Sequence, residues 1–235
     1  MEVMLQKPVK RTLYMGSPTP EDLDKIKFYT KEDWEYDEWY VVPLRASDNL
    51  VSRSYKVWHD DVLQQMPKEL IGKNLIYNHE WSEAEESIGF ILDAFLVSEP
   101  SYNNAIDSGD RYTKNMSIVK NKGYKCVYCL AAIHASKAED IMNIKTMRVN
   151  KCSTGGVLSQ VDIICPNCSA EYGREVSFFE LDSMGKYICP HQIPGGYEYD
   201  EDDEIADYAI WNGIFEGVEL SLVVCGNLPN AEILR

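Results

Sequence analysis

The apolar and polar positions of this chain fall mostly into short alternating runs set apart by turn residues. Glu38–Arg45, with Tyr40, Val41, Val42 and Leu44, predicts a first strand, and Asp48-Asn49 a turn after it. Leu70–Asn78 passes through a glycine turn into a strand that ends at His79, and the acidic stretch Glu80–Glu86 reads as a loop. Ser87–Ser98, with Ile88, Phe90, Leu92, Ala94 and Leu96 in near alternation, predicts the next strand, and Lys125–His134 another. Gly217–Val224 supplies a late strand with a carboxylate, Glu219, among apolar residues.

Helical spacing is scarcer. Thr19-Pro20-Glu21-Asp22 has capping chemistry with proline at the first helical position, which predicts a short helix to about Lys27. His59-Asp60-Asp61 offers an N-cap for a helix over Val62–Met66 that Pro67 stops. Ser136–Ile141 forms a helical turn, and Lys145–Asn150 leads to Cys152-Ser153-Thr154-Gly155-Gly156. Residues 99–124 are polar and turn-rich and read as a flexible excursion. Strands separated by turns, with few long helical periods, predict a mainly β fold with peripheral helices, as a closed barrel or a sandwich.

Composition narrows the function. The length of 235 residues suits one large β-rich domain or a domain carrying an insertion. No run of about 18 apolar residues is present to span a membrane, and no apolar segment follows the basic N-terminus as a signal peptide requires. A formal charge of −15 argues against bulk nucleic-acid binding, which needs a positive surface. The acidic run Glu198–Glu204 reads as a solvated loop. Seven cysteines without a secretory signal point to metal ligation before disulfides, and to a reducing cytoplasm.

Two cysteine-bearing segments have ligand spacing. Cys165-Pro166-Asn167-Cys168 has the two-residue interval of a zinc knuckle, and Cys189-Pro190-His191 adds a thiol and an imidazole one residue apart. Cys165, Cys168, Cys189 and His191 together suit a structural, tetrahedral Zn²⁺. The expected organisation is an N-terminal arm at 1–37, a barrel at 38–161 and 201–235, and a zinc-knuckle insertion at 162–200 that gains its fold from the metal. Cys126 and Cys129 share the knuckle spacing but sit in a strand pattern and read as core, and Cys152 and Cys225 as buried strand cysteines.

His79, Ser153 and Glu219 are a base, a hydroxyl and an orienting acid, each beside a strand. Singly, each has an ordinary explanation: a satisfied histidine, a plain glycine turn, an exposed carboxylate. Cys152 is a second nucleophile candidate, but adjacent strand residues face opposite ways, so only one of Cys152 and Ser153 can meet the histidine.

The order of these segments resembles the prohead (capsid maturation) proteases of tailed bacteriophages, which share a fold with herpesvirus capsid proteases. The first similarity is Leu75-Ile76-Tyr77-Asn78-His79 followed by Ile88-Gly89-Phe90-Ile91-Leu92-Asp93-Ala94; the second is Val149–Gly156 around Ser153. The third is Glu219-Leu220-Ser221-Leu222-Val223 with Pro229-Asn230-Ala231 soon after. The resemblance runs from about residue 38 to 233 and is interrupted by the zinc-knuckle segment.

What it implies is a closed antiparallel β-barrel of the herpesvirus-protease type and a serine endopeptidase. His79 would be the general base, Ser153 the nucleophile and Glu219 the third member, with His134 and Asp162 as other candidates for that place; Thr154 and Gly155 would lend N–H groups to an oxyanion hole. The implied substrates are the scaffolding protein, the capsid-protein extension and the enzyme itself, cut inside the prohead in a bacterial host. The alternative is a catalytically inactive, zinc-stabilised barrel that binds capsid or scaffold proteins.

Overall fold

The computed structural model describes residues 13–80, 87–99, 110–167, 169, 171–173, 191–192, 204–205, 208–226 and 228–234. Eleven strands occur among them: β1 (Trp39–Asp48), β2 (Lys56–Trp58), β3 (Asn74–Tyr77), β4 (Gly89–Glu99), β5 (Tyr124–His134), β6 (Lys151–Ile164), β7 (Glu171–Gly173), β8 (His191–Gln192), β9 (Glu204–Ile205), β10 (Ala209–Val223) and β11 (Glu232–Ile233). Four α-helices accompany them, α1 (Pro20–Thr30), α2 (Asp60–Leu70), α3 (Asp110–Lys122) and α4 (Ala138–Lys145), with one 3-10 turn at Tyr36–Glu38.

Seven of the strands close into a barrel. β10 pairs with β3 on one side and β6 on the other; β3, β4, β5 and β1 follow in order, and β11 joins β1 back to β6. The barrel is mixed, which departs from the all-antiparallel expectation, because β10 runs parallel to both β2 and β3. Residues 56–77 track β10 as strand, helix, strand, and α2 spans the interval. β2 and β3 follow one another along the edge of β10 that β6 leaves open, and the helix that joins them was only half visible in the sequence.

α2 buries Val62, Leu63, Met66 and Leu70 in the barrel core, and it runs through Pro67 to Leu70 rather than stopping at the proline. An interior proline costs about 3 kcal/mol, whereas each buried aliphatic side chain returns roughly 1.5–3 kcal/mol, so packing wins. The helix is clamped to β10. Gln65 donates to the Gly213 carbonyl at 3.0 Å and accepts the Phe215 N–H at 3.0 Å. A Cβ on Gly217 would stand 2.6 Å from the Glu69 carbonyl oxygen, so glycine there sets how closely helix and strand approach.

The segment 99–124, read as an excursion, contains α3. Its hold is tertiary: Asn115 is fully buried and accepts the Val51 N–H at 2.8 Å, while Ile118 packs with Val51 and Val57. α4 runs to Lys145, beyond the turn expected at 136–141, because Ile141 and Ile144 both reach the core. α1 is capped by Thr19 in a reciprocal box with Asp22, and Ile26 docks it on the barrel wall against Trp39, Val41 and Leu92. Cys126, Cys129 and Cys152 are buried, whereas Cys225 is exposed just past the end of β10, contrary to expectation. No helix among the described residues is long and apolar enough to cross a membrane.

One buried carboxylate ties β1 to the C-terminal segment. Asp48, at the end of β1, accepts from the Leu50 N–H at 3.0 Å and from Asn230 Nδ2 at 3.2 Å. Burial pushes its carboxyl up to about 6, with Arg45 nearby opposing the shift. A raised carboxyl favours the protonated fold, so its contribution is fully present below the unfolded value and is lost as pH rises through about 6. Urea unfolding of the protein and of Asp48→Asn at pH 4 and pH 7.5 should therefore differ in slope: the native chain loses up to about 3 kcal/mol from this group and the variant does not. Parallel stability–pH curves would contradict this.

Candidate active site

Two irregularities aim the site. Early in β10, Phe215 faces the core; later, Leu220 and Leu222 do. A change from odd to even positions needs one extra residue, and the β10–β6 register shifts between Gly217 and Glu219. That bulge turns Glu219 and Ser221 to the face opposite the barrel core. They are nevertheless 2% and 0% exposed.

The chain leaving β3 folds over them. Asn78 and His79 have φ of 48° and 62°, two successive left-handed residues that are not glycine. Side chains seldom adopt that backbone, at a cost of order 1 kcal/mol each, unless the surroundings impose it. Here the Asn78 N–H bonds the Leu222 carbonyl at 3.1 Å, and the His79 N–H bonds Ser221 Oγ at 2.9 Å. The turn carries the imidazole onto Glu219, with Nδ1 at 2.6 Å from Oε1. Ser221 Oγ donates to the other oxygen, Oε2, at 2.6 Å. A carboxylate accepts at both oxygens, so Nδ1 carries a hydrogen toward Glu219, and in the neutral ring that tautomer leaves the lone pair on Nε2. The His79 side chain is 39% exposed, against 3% for Glu219.

β6 brings the hydroxyl. Ser153 is the direct cross-strand partner of Ser221, and Gly155 that of Glu219. Directly opposed residues share a face, so Ser153 stands on the side of the sheet that holds the His79–Glu219 pair. It is half-buried, and no hydrogen bond joins its Oγ to His79 among the described residues. The carboxylate lies over Gly155: a Cβ there would be 1.7 Å from Glu219 Oε1. This glycine is needed to seat the acid, a role that neither a plain glycine turn nor an oxyanion N–H would require. Gly156 meets the Phe215 ring instead, at 2.6 Å from a Cβ.

Other candidates are placed apart. The Thr154 hydroxyl donates to the Ala46 carbonyl at 2.9 Å, which leaves only the backbone N–H groups of Thr154 and Gly155 for an oxyanion. Cys152 faces the core, its Sγ 3.1 Å from the Arg45 carbonyl, and burial pushes the thiol up to about 12. It is no nucleophile. His134 sits between Trp34 and Trp39 with Nδ1 on Ser136, and Asp162 is exposed at the far end of β6 beside Asn212. Neither reaches His79. Ser221 is the one member of the cluster that was read only as part of a strand; its signal was the two-residue spacing from Glu219, which puts both on one face.

A cavity of about 450 Å³ borders Ser153, lined also by Trp58, Leu158 and Trp211 with Lys56 at its wall. Its β6 contributors Thr154, Gly156 and Leu158 place most of it on the opposite face from Glu219.

Of the expected zinc ligands, Cys168 and Cys189 lie outside the described residues and His191 is described only as part of β8. Cys165 is buried at the end of β6, where the Ser169 N–H closes a turn onto its carbonyl at 2.8 Å. That turn and the thiolate–imidazole donor set fit a knuckle. No cluster of three or more metal-binding side chains occurs among the described residues. Comparison of the chain with family models, curated proteins and solved structures finds no match.

Gly155→Ala should expel the Glu219 carboxylate from its seat. The low-field proton signal of an imidazole N–H bonded to a carboxylate should disappear from the NMR spectrum, with a loss of about 1–3 kcal/mol from the acid left unsatisfied. A retained signal would mean that the acid does not need that glycine.

Proposed function

We propose that the protein is a serine endopeptidase of the prohead-protease type. The observation that carries the reading is the 2.6 Å bond between His79 and Glu219, residues 140 positions apart, over a strand whose neighbour presents Ser153 on the same face. An exposed imidazole backed by a buried carboxylate is an arrangement suited to general-base work.

In this mechanism His79 Nε2 takes the Ser153 proton as Oγ adds to the scissile carbonyl carbon. Glu219 holds the ring in that tautomer and stabilises the imidazolium. Backbone N–H groups at Thr154 and Gly155 are the candidate donors to the oxyanion. Collapse breaks the C–N bond, the imidazolium protonates the departing amine, and an acyl group remains on Ser153. Water, deprotonated by the same imidazole, releases it.

The substrates proposed are the scaffolding protein, the capsid-protein extension and the chain itself, within an assembling prohead. Cys165, Cys168, Cys189 and His191 would hold a structural Zn²⁺ that organises the segment around 162–200 and takes no part in the chemistry.

Co-expression with scaffold and capsid proteins tests the reading. Ser153→Ala should abolish processing with the melting temperature unchanged, and a fluorophosphonate probe should label Ser153 in the native chain only. Undiminished processing, or no labelling of a folded native chain, would leave the non-enzymatic barrel that binds those partners. Separately, elemental analysis should find one zinc per chain, and Cys165→Ser or a chelator should lower the melting temperature. A metal-free native protein would dispose of the zinc assignment.

A further inference from the structure

The hydroxyl in contact with the His79–Glu219 pair belongs to Ser221, not to Ser153. Ser221 is fully buried; its hydroxyl donates its one proton to Glu219 Oε2, with the two oxygens 2.6 Å apart, and its oxygen accepts the His79 backbone N–H at 2.9 Å. A hydroxyl with its proton and oxygen both engaged, and no route for a carbonyl carbon, is not a nucleophile.

We infer that Ser221 is a positioning residue that couples the turn bearing the base to the acid that orients it. The inference rests on the proposed roles of His79 and Glu219. The terminal torsion of a glutamate is broad and roughly two-fold, so a carboxylate held at one oxygen still swings. Ser221 holds Oε2, and the close approach over Gly155 limits Oε1, which leaves Oε1 one place: opposite Nδ1. The same oxygen secures the backbone of a turn with φ of 48° and 62° at Asn78 and His79. Without that acceptor the backbone of the turn keeps only the Asn78 N–H bond to the Leu222 carbonyl of β10, and the backbone of His79 itself loses its hold on that strand. One side chain therefore fixes both partners of the pair. Its spacing from Glu219, two residues on one strand, is set by the pleat.

The experiment uses the full chain with its scaffold substrate. Ser221→Ala should lower kcat roughly 10- to 100-fold with KM within about twofold, because a buried hydrogen-bonded group is lost from the transition state and not from substrate contact. The low-field imidazole proton should vanish, and Ser221→Thr, which keeps the hydroxyl, should restore both signal and rate. Should the alanine variant fail to unfold cooperatively, Ser221→Cys replaces it with the same expected outcomes. A persistent signal with native turnover would overturn the inference, as would an equal loss in the alanine and threonine variants. The NMR signal can be read in Ser153→Ala as well. If Ser153 proves dispensable, the peptidase reading fails while the hold of Ser221 on the ring is still decided.

Discussion

Strand β10 is the constraint on which the rest of the structure depends. It is flanked on both sides, by β3 in parallel and by β6 in antiparallel register, so it has no freedom to slide. The extra residue at its bulge reverses which side chains face the core. Upstream of it the strand packs on α2; downstream it presents an acid and a hydroxyl to the other side. Removing the bulge would drive Glu219 into the hydrophobic core and Leu220 out of it.

A carboxylate this deeply enclosed needs partners, since an unpaired buried charge is far more costly than a bonded one. Glu219 has two, and both are supplied by neighbours that the sheet geometry brings to it. The glycine on β6 is the third requirement, because the carboxylate occupies the volume a side chain would fill. The ring of His79 remains partly open to solvent, so the pair combines a rigid buried half with an accessible one.

The strands were legible in the sequence because β4 alternates apolar and polar positions, while β1 and β5 are short, nearly continuous apolar runs buried on both faces. What was not legible had non-local causes. Pro67 is tolerated in α2 because Leu70 is buried beyond it, a fact of packing and not of propensity. α3 depends on Asn115 reaching across to Val51, and no periodicity announces a single polar contact. The parallel pairing of β3 and β10 joins segments far apart in the chain, and no local pattern announces such a contact. At the site, His79 and Glu219 are in contact and Ser153 shares their face of the sheet, whereas the role of Ser221 and the reason for Gly155 came only from the folded arrangement.

The parallel contact between β3 and β10 also bears on when the molecule becomes complete. Residues 74–79 emerge from synthesis long before residues 209–223, and nothing else in the described structure can substitute for that partner. Until the late strand docks between β3 and β6, the imidazole has no acid and its turn has no acceptor. A nascent or truncated polypeptide ending short of β10 thus carries every early element of the barrel while lacking the paired groups, which delays any chemistry until the seam is closed.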